Sequence, residues 1–218
     1  MAKRFDLLVF DWDGTLIDST GAIVAAVQAA CRDLALAEPT AAQVRQVIGL
    51  GLTDALRRST PDLAEHRVPQ MIERYRQHYL AHDHELRLFD GVSELMAELH
   101  GAGYLLAVAT GKSRAGLRRS MMNTGLERYF SATRCADECL SKPHPQMLLE
   151  LLDEFSLPAE RALMIGDTTH DLQMAINAGV AGLAVTYGAH PAEVLDALAP
   201  LARLHSVAEL TQWLRRQA

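Results

Sequence analysis

With 218 residues, nearly half of them apolar and 22% charged, the chain can bury a full core and has neither a disordered nor a fibrous composition. A net charge of -6 removes the basic field that nucleic acid or an anionic membrane surface would need, and no apolar run approaches the ~20 residues of a bilayer span. Cys31, Cys135 and Cys139 are odd in number and suit a reducing compartment; with the short, polar-interrupted stretch after Met1-Ala2-Lys3-Arg4, they give the expectation of a cytoplasmic protein.

The first apolar run, residues 7–10, stops abruptly at Asp11 and reads as a buried parallel strand. Residues 17–84 carry helical periodicity and no convincing strand, so they read as an all-helical insertion, with Leu88-Phe89-Asp90-Gly91 as the return. Beyond it, strands at 105–109, 163–165 and 182–186 alternate with helices at 92–100, 114–123, 145–154 and 171–178, most of them with a glycine or proline boundary. Residues 207–214 read as a C-terminal docking helix that packs Trp213 on the core. This order predicts an α/β fold, a doubly wound, mainly parallel, Rossmann-like sheet from 1–16 and 89–218, with 17–88 inserted as a helical domain. Ligands bind beyond the carboxyl ends of such strands, a rule that gathers Asp11, Asp13, Thr110, Asp167 and Asp171.

The strongest chemical signal is Asp11-Trp12-Asp13-Gly14-Thr15. Two carboxylates two residues apart on a tight turn can divide the work of phosphoryl transfer. One attacks phosphorus; the other protonates the leaving oxygen and later activates water. Gly14 lets the backbone turn closely around the phosphate. Taken singly, the residues have plainer readings: an Asp-Gly turn, Thr110 as a helix cap, Lys142 as a solvated lysine, Asp167 and Asp171 as charges at a helix start. Their joint occurrence at strand ends favours a site.

Four motifs in order, Asp11-Trp12-Asp13-Gly14-Thr15, Thr110-Gly111-Lys112, Lys142-Pro143-His144-Pro145 and Gly166-Asp167-Thr168-Thr169-His170-Asp171, make the chain resemble the haloacid dehalogenase superfamily, specifically its helical-capped, phosphoglycolate phosphatase-like members. The resemblance implies Asp11 as nucleophile, phosphorylated in the course of reaction, and Asp13 as general acid and base. It implies that Thr110, Gly111 and Lys142 hold the phosphoryl oxygens. Mg2+ would be held by Asp11, the backbone carbonyl of Asp13, Asp167 and Asp171, and would offset the repulsion between two anions. An aspartate at position 13 implies an ester hydrolase or a mutase rather than a dehalogenase.

Within the insertion, Gly49-Leu50-Gly51-Leu52-Thr53 resembles the specificity loop of such caps. Gly49 and Gly51 are therefore candidate substrate-binding positions, through free N–H groups at the helix start, with Arg45, Arg57 and Arg58 as possible basic partners. The segments 16–18 and 88–91 would be the hinges, although Asp90 stands where the family usually has proline. The implied function is Mg2+-dependent hydrolysis of a small phosphorylated metabolite, phosphoglycolate first, by a monomer or weak dimer without nucleic-acid or membrane partners. A sugar phosphomutase and a pyrophosphate or nucleotide hydrolase are the alternative readings, while the four intact motifs argue against a non-catalytic binding protein on the same fold. Cys135, Cys139 and His144 lack the ligand number of a zinc site, His82-Asp83-His84 reads as a solvated end of the insertion, and His170 as a loop residue.

Overall fold

In the computed structural model, which describes residues 3–217, Leu7–Phe10 (β1) runs through the middle of a six-stranded sheet and is buried on both faces. Its neighbours are Leu105–Thr110 (β2) and Ala162–Gly166 (β4); Ala132–Cys135 (β3), Ala181–Val185 (β5) and Arg203–Leu204 (β6) complete the order β3-β2-β1-β4-β5-β6. Every pairing is parallel, and Phe10 lies opposite both Val108 and Ile165, so β1, β2 and β4 end at the same level.

Alternation along the strands sorts the core into two layers. Leu8, Phe10, Leu106, Val108, Leu163 and Ile165 face the helices Val92–Gly101 (α5), Arg114–Thr124 (α6) and Val207–Gln217 (α10). Leu7, Val9, Ala107, Ala109, Ala162 and Met164 face Gln146–Phe155 (α7) and Thr169–Ala178 (α8). Each fully buried side chain of this kind contributes about 1.5–3 kcal/mol, which is why the central strands need apolar residues at every position. Trp213 packs against the first layer as expected. A short helix, Ala192–Asp196 (α9), sets Leu195 against Leu172 and Ala184.

Two strands have no apolar run to announce them. β3 is an edge strand with only Cys135 buried, and Arg134 pairs outward with Glu150 and Glu154. β6 is two residues long.

Between β1 and α5 the chain forms Thr20–Asp33 (α1), Ala41–Arg45 (α2), Leu52–Ser59 (α3) and Val68–His82 (α4). These helices share an apolar cluster of their own, including Val27, Cys31, Val44, Leu56 and Met71, separate from the two sheet layers. The exit and the return lie side by side. Ile17 bridges Leu88, the Asp18 N–H donates to the Arg87 carbonyl at 2.9 Å, and the Phe89 N–H donates to the Leu16 carbonyl at 3.1 Å. Among the described residues no helix is long and apolar enough to cross a membrane. The three cysteines are free thiols.

Candidate active site

Asp11 follows β1 directly, its N–H bonded to the Ile165 carbonyl at 2.9 Å. Trp12 is fully buried and donates its Nε1–H to the Ser120 hydroxyl at 2.8 Å, which anchors the turn between the two aspartates in the core. Gly14 adopts φ +83 beside Asp167, where a Cβ would overlap the carboxylate. Only glycine closes the turn over that group without strain.

Four charged side chains meet under this turn, all of them buried. Lys142, on the loop before α7, places Nζ 2.6 Å from Asp11 Oδ1 and 2.6 Å from Asp171 Oδ1. Asp171 sits in the first turn of α8 and also takes the Thr168 N–H (3.0 Å) and hydroxyl (2.7 Å) on Oδ2, so it caps its helix and faces the lysine at once. Asp167, just after β4, accepts the Thr15 hydroxyl and the Ala189 N–H, each at 2.7 Å. Thr15 lies inside the first motif, but nothing along the chain pairs it with Asp167, and Ala189 has no signal in the sequence.

Burial pushes the Asp11 carboxyl well above its usual range; Lys142 pulls it down, while Asp171 and Asp167 add to the rise. Asp167 is raised to about 7, by burial first and then by Asp171. Lys142 stays a firm cation because Asp11 and Asp171 outweigh its own desolvation. Ligand oxygens of Asp11, Asp167 and Asp171 all fall within 4.8 Å of one another. Fully ionised, as metal binding requires, three carboxylates against one ammonium would leave an excess of two negative charges, and Asp11 Oδ2 is buried with no hydrogen-bond partner. An oxygen-seeking dication fits both the charge and the orphaned atom.

Asp13 stands apart from that cluster. Its Oδ1 accepts the Ser19 hydroxyl at 2.6 Å and lies 3.0 Å from Lys112 Nζ. Lys112 in turn donates to the Tyr79 hydroxyl of α4 at 3.0 Å. Burial works against the Lys112 ammonium, but Asp13, Tyr79 and Tyr75 around it hold its pKa above the ordinary lysine value. Lys112 lies inside the second motif, which assigns it no role, and Ser19 and Tyr79 carry no sequence signal. The Thr110 hydroxyl accepts the Lys112 N–H at 3.2 Å, and the cap of α6 is Ser113, so Thr110 is not the helix cap that it suggests when read singly.

The loop of Gly49 and Gly51 rests on three core segments. A Cβ on Gly111 would overlap the carbonyl oxygens of Leu50 and Gly49, Gly49 lies against Thr168, and the His170 ring meets the Gln46 carbonyl at 3.0 Å. His170 is thus in the first turn of α8 and against the insertion, not in a free loop. Gly51 begins α3 as expected, but its N–H is given to the Ser141 hydroxyl at 2.7 Å rather than left open. Arg45, Arg57 and Arg58 are exposed; Arg57 pairs with Glu65. Gly111→Ala is expected to prop the insertion off the sheet, lowering kcat/KM about tenfold or more, since misplacement of about 1 Å costs two orders of magnitude in favourable cases; wild-type kinetics would contradict this.

Between the insertion and the strand ends lies a chamber of about 760 Å³, with Asp11, Asp13 and Thr110 at one end and largely aliphatic and aromatic side chains of α1, α3 and α4 around the rest. A second acidic group, Cys135, Asp137 and Glu138, is accounted for by Arg114, whose N–H meets Asp137 and whose guanidinium pairs with Glu138.

Residues 8–185 match the family model of haloacid dehalogenase-like hydrolases. The chain belongs to that family. Relatives match over most of its length: a probable phosphatase, IndB, of Dickeya dadantii (38% identity over 89% of this chain and 86% of the relative), a 5'-nucleotidase of Pseudomonas aeruginosa (34%, 97% and 96%) and a phosphoglycolate phosphatase of Vibrio cholerae (33%, 85% and 86%). The crystal structure of a predicted phosphoglycolate phosphatase from Haemophilus somnus superposes with a TM-score of 0.87, at 26% identity over 97% of this chain and 99% of that one. This haloacid dehalogenase-like hydrolase is a phosphatase by that kinship.

Proposed function

We propose that the protein hydrolyses small phosphate monoesters through a phosphorylated Asp11, with Mg2+ as the cation held by Asp11, Asp167, Asp171 and the backbone carbonyl of Asp13. The observation that carries this reading is the buried, unpartnered Asp11 Oδ2 beside two further carboxylates and Lys142. When bound, the metal supplies positive charge that lets an anionic carboxylate approach an anionic ester. The chain's own groups do the rest. Thr110, Gly111 and Lys142 hold the phosphoryl oxygens, and an Asp11 oxygen attacks phosphorus while Asp13 passes its proton to the leaving oxygen. Asp13, now a carboxylate, takes a proton from water as that water attacks the phosphorus, which frees phosphate and restores Asp11. Ser19 and Lys112 keep Asp13 oriented through both steps, and residues 17–88 act as a cap that excludes bulk water.

Phosphoglycolate is the first substrate to try, since relatives along most of the chain carry its name. The direct test is phosphate release with and without Mg2+, together with acid quenching of a labelled ester. Label retained on Asp11 and lost in chelator supports the reading; turnover that persists fully in chelator ends it.

The metal requirement should depend on pH. Without metal, Asp167 titrates at about 7 in the folded chain against 3.8 unfolded. Its folded pKa is raised, so the folded state binds the extra proton between those values, and the stability of the metal-free protein falls as pH rises through that window. Mg2+ competes with that proton, so its apparent affinity is expected to tighten from about pH 6 to about pH 8. Calorimetric titration giving the same Mg2+ affinity at both values would contradict the assignment.

A further inference from the structure

The chamber is larger and more apolar than a two-carbon leaving group demands. Its volume of about 760 Å³ lies in the upper part of the range that receives drug-sized ligands. Much of its wall comes from the insertion's own apolar cluster, with Ile23, Val27, Leu56 and Ile72 lining the space beside Tyr75 and Tyr79. The two tyrosines stack with centroids 5.7 Å apart and planes 21° from parallel. Tyr79 is committed, its hydroxyl to Lys112 and its ring face to the same ammonium at 4.8 Å. Tyr75 is not, because among the described residues its hydroxyl has no hydrogen-bond partner, and its half-buried ring lines the chamber.

The charged groups around the same space argue against an anionic leaving group. Lys112 is held by Asp13, and Arg119 by Asp83. Asp54 and Asp137 would repel an anion; Arg76, exposed on α4, is the one lining cation without an ion pair among the described residues. Burying a carboxylate against aliphatic walls with so little compensation is unfavourable, whereas a flat, uncharged ring gains area and stacking there.

We propose that the chamber selects phosphate monoesters whose leaving group carries an uncharged planar ring, a nucleoside above all, and that Tyr75 is the residue that makes the selection. This rests on the phosphatase reading above and names its substrate class. The ester oxygen stays at Asp13 while the ring extends past Lys112 to lie on Tyr75, whose free hydroxyl meets a polar edge of the base or the sugar.

The test compares adenosine and uridine 5'-monophosphate with ribose 5-phosphate, which has the same leaving oxygen without the base, and with phosphoglycolate. Wild-type kcat/KM is expected to be about tenfold or more higher for the nucleotides, in keeping with the worth of a base stacked on an aromatic side chain. Tyr75→Ala should shrink that ratio by about the same factor, Tyr75→Phe should retain most of it, and Arg76→Ala should leave it in place. A wild-type preference for phosphoglycolate or ribose 5-phosphate overturns the inference, as does a nucleotide preference that Tyr75→Ala does not move. Phosphate release from none of the four esters, in protein with native circular dichroism, instead overturns the phosphatase reading beneath it.

Discussion

Replacing Asp11 with asparagine is expected to abolish phosphate release, with kcat lowered on the order of 10⁴-fold or more, as for other covalent nucleophiles whose loss leaves only binding and electrostatic effects. The amide keeps the shape of the carboxylate but is a far weaker nucleophile. It also removes one of the three carboxylates that gather within 4.8 Å and the anion that Lys142 meets at 2.6 Å. Relief of buried negative charge should leave the metal-free variant at least as stable as the parent, because burial and the neighbouring aspartates already disfavour an ionised Asp11. Activity and stability therefore move in different directions. Steady-state assays and denaturant unfolding on the same preparation check both; a variant that turns over normally would remove Asp11 from the chemistry, and one that is inactive because it is unfolded would leave the fold as the cause.

Lys142→Met should do the reverse and damage both. Its side chain is fully enclosed and holds Asp11 and Asp171 together, so an apolar replacement leaves two buried carboxylates without their cation. Breaking a buried pair from one side costs about 3–5 kcal/mol. The deficit should depend on pH. Removing the cation takes away the charge that pulls the Asp11 carboxyl down, so its folded-state pKa rises further above the unfolded value, the folded variant binds that proton more tightly, and its stability falls as pH rises above the ordinary carboxylate range. Denaturant midpoints should therefore lie closer to wild type at about pH 5 than at about pH 8. An equal deficit at both would mean that the lost packing of the lysine stem, not its charge, sets the cost.

How much of this was legible beforehand follows from where the information lies. The strands that show as apolar runs are those buried on both faces, and β1, β2, β4 and β5 all appear within a residue or two of their expected bounds. β3 and β6 sit at the sheet edges, with little apolar pattern to read. Asp11, Asp13, Thr110, Asp167 and Asp171 could be gathered because parallel strands deliver their carboxyl ends to one place, whereas Lys142, on a loop before α7, is indicated only by the family resemblance. The hydroxyl of Ser19 on Asp13, and Tyr79 on Lys112, arise from the packing of the insertion against the sheet, and nothing local in the chain encodes that packing. The same holds for Gly51, whose N–H pairs with Ser141 ninety positions away, where an open anion site had been the expectation.

The adjacency of the insertion's two ends has a bearing on how such a protein can diversify. Since Asp18 and Arg87 are already hydrogen-bonded neighbours, everything between them is spliced into the sheet at a single junction, like a cartridge. The residues of the proposed catalytic floor, apart from Ser19, lie outside that cartridge. Exchanging or trimming it should alter which alcohol leaves while leaving intact the machinery that breaks the bond, so new preferences can be gained without rebuilding the chemistry.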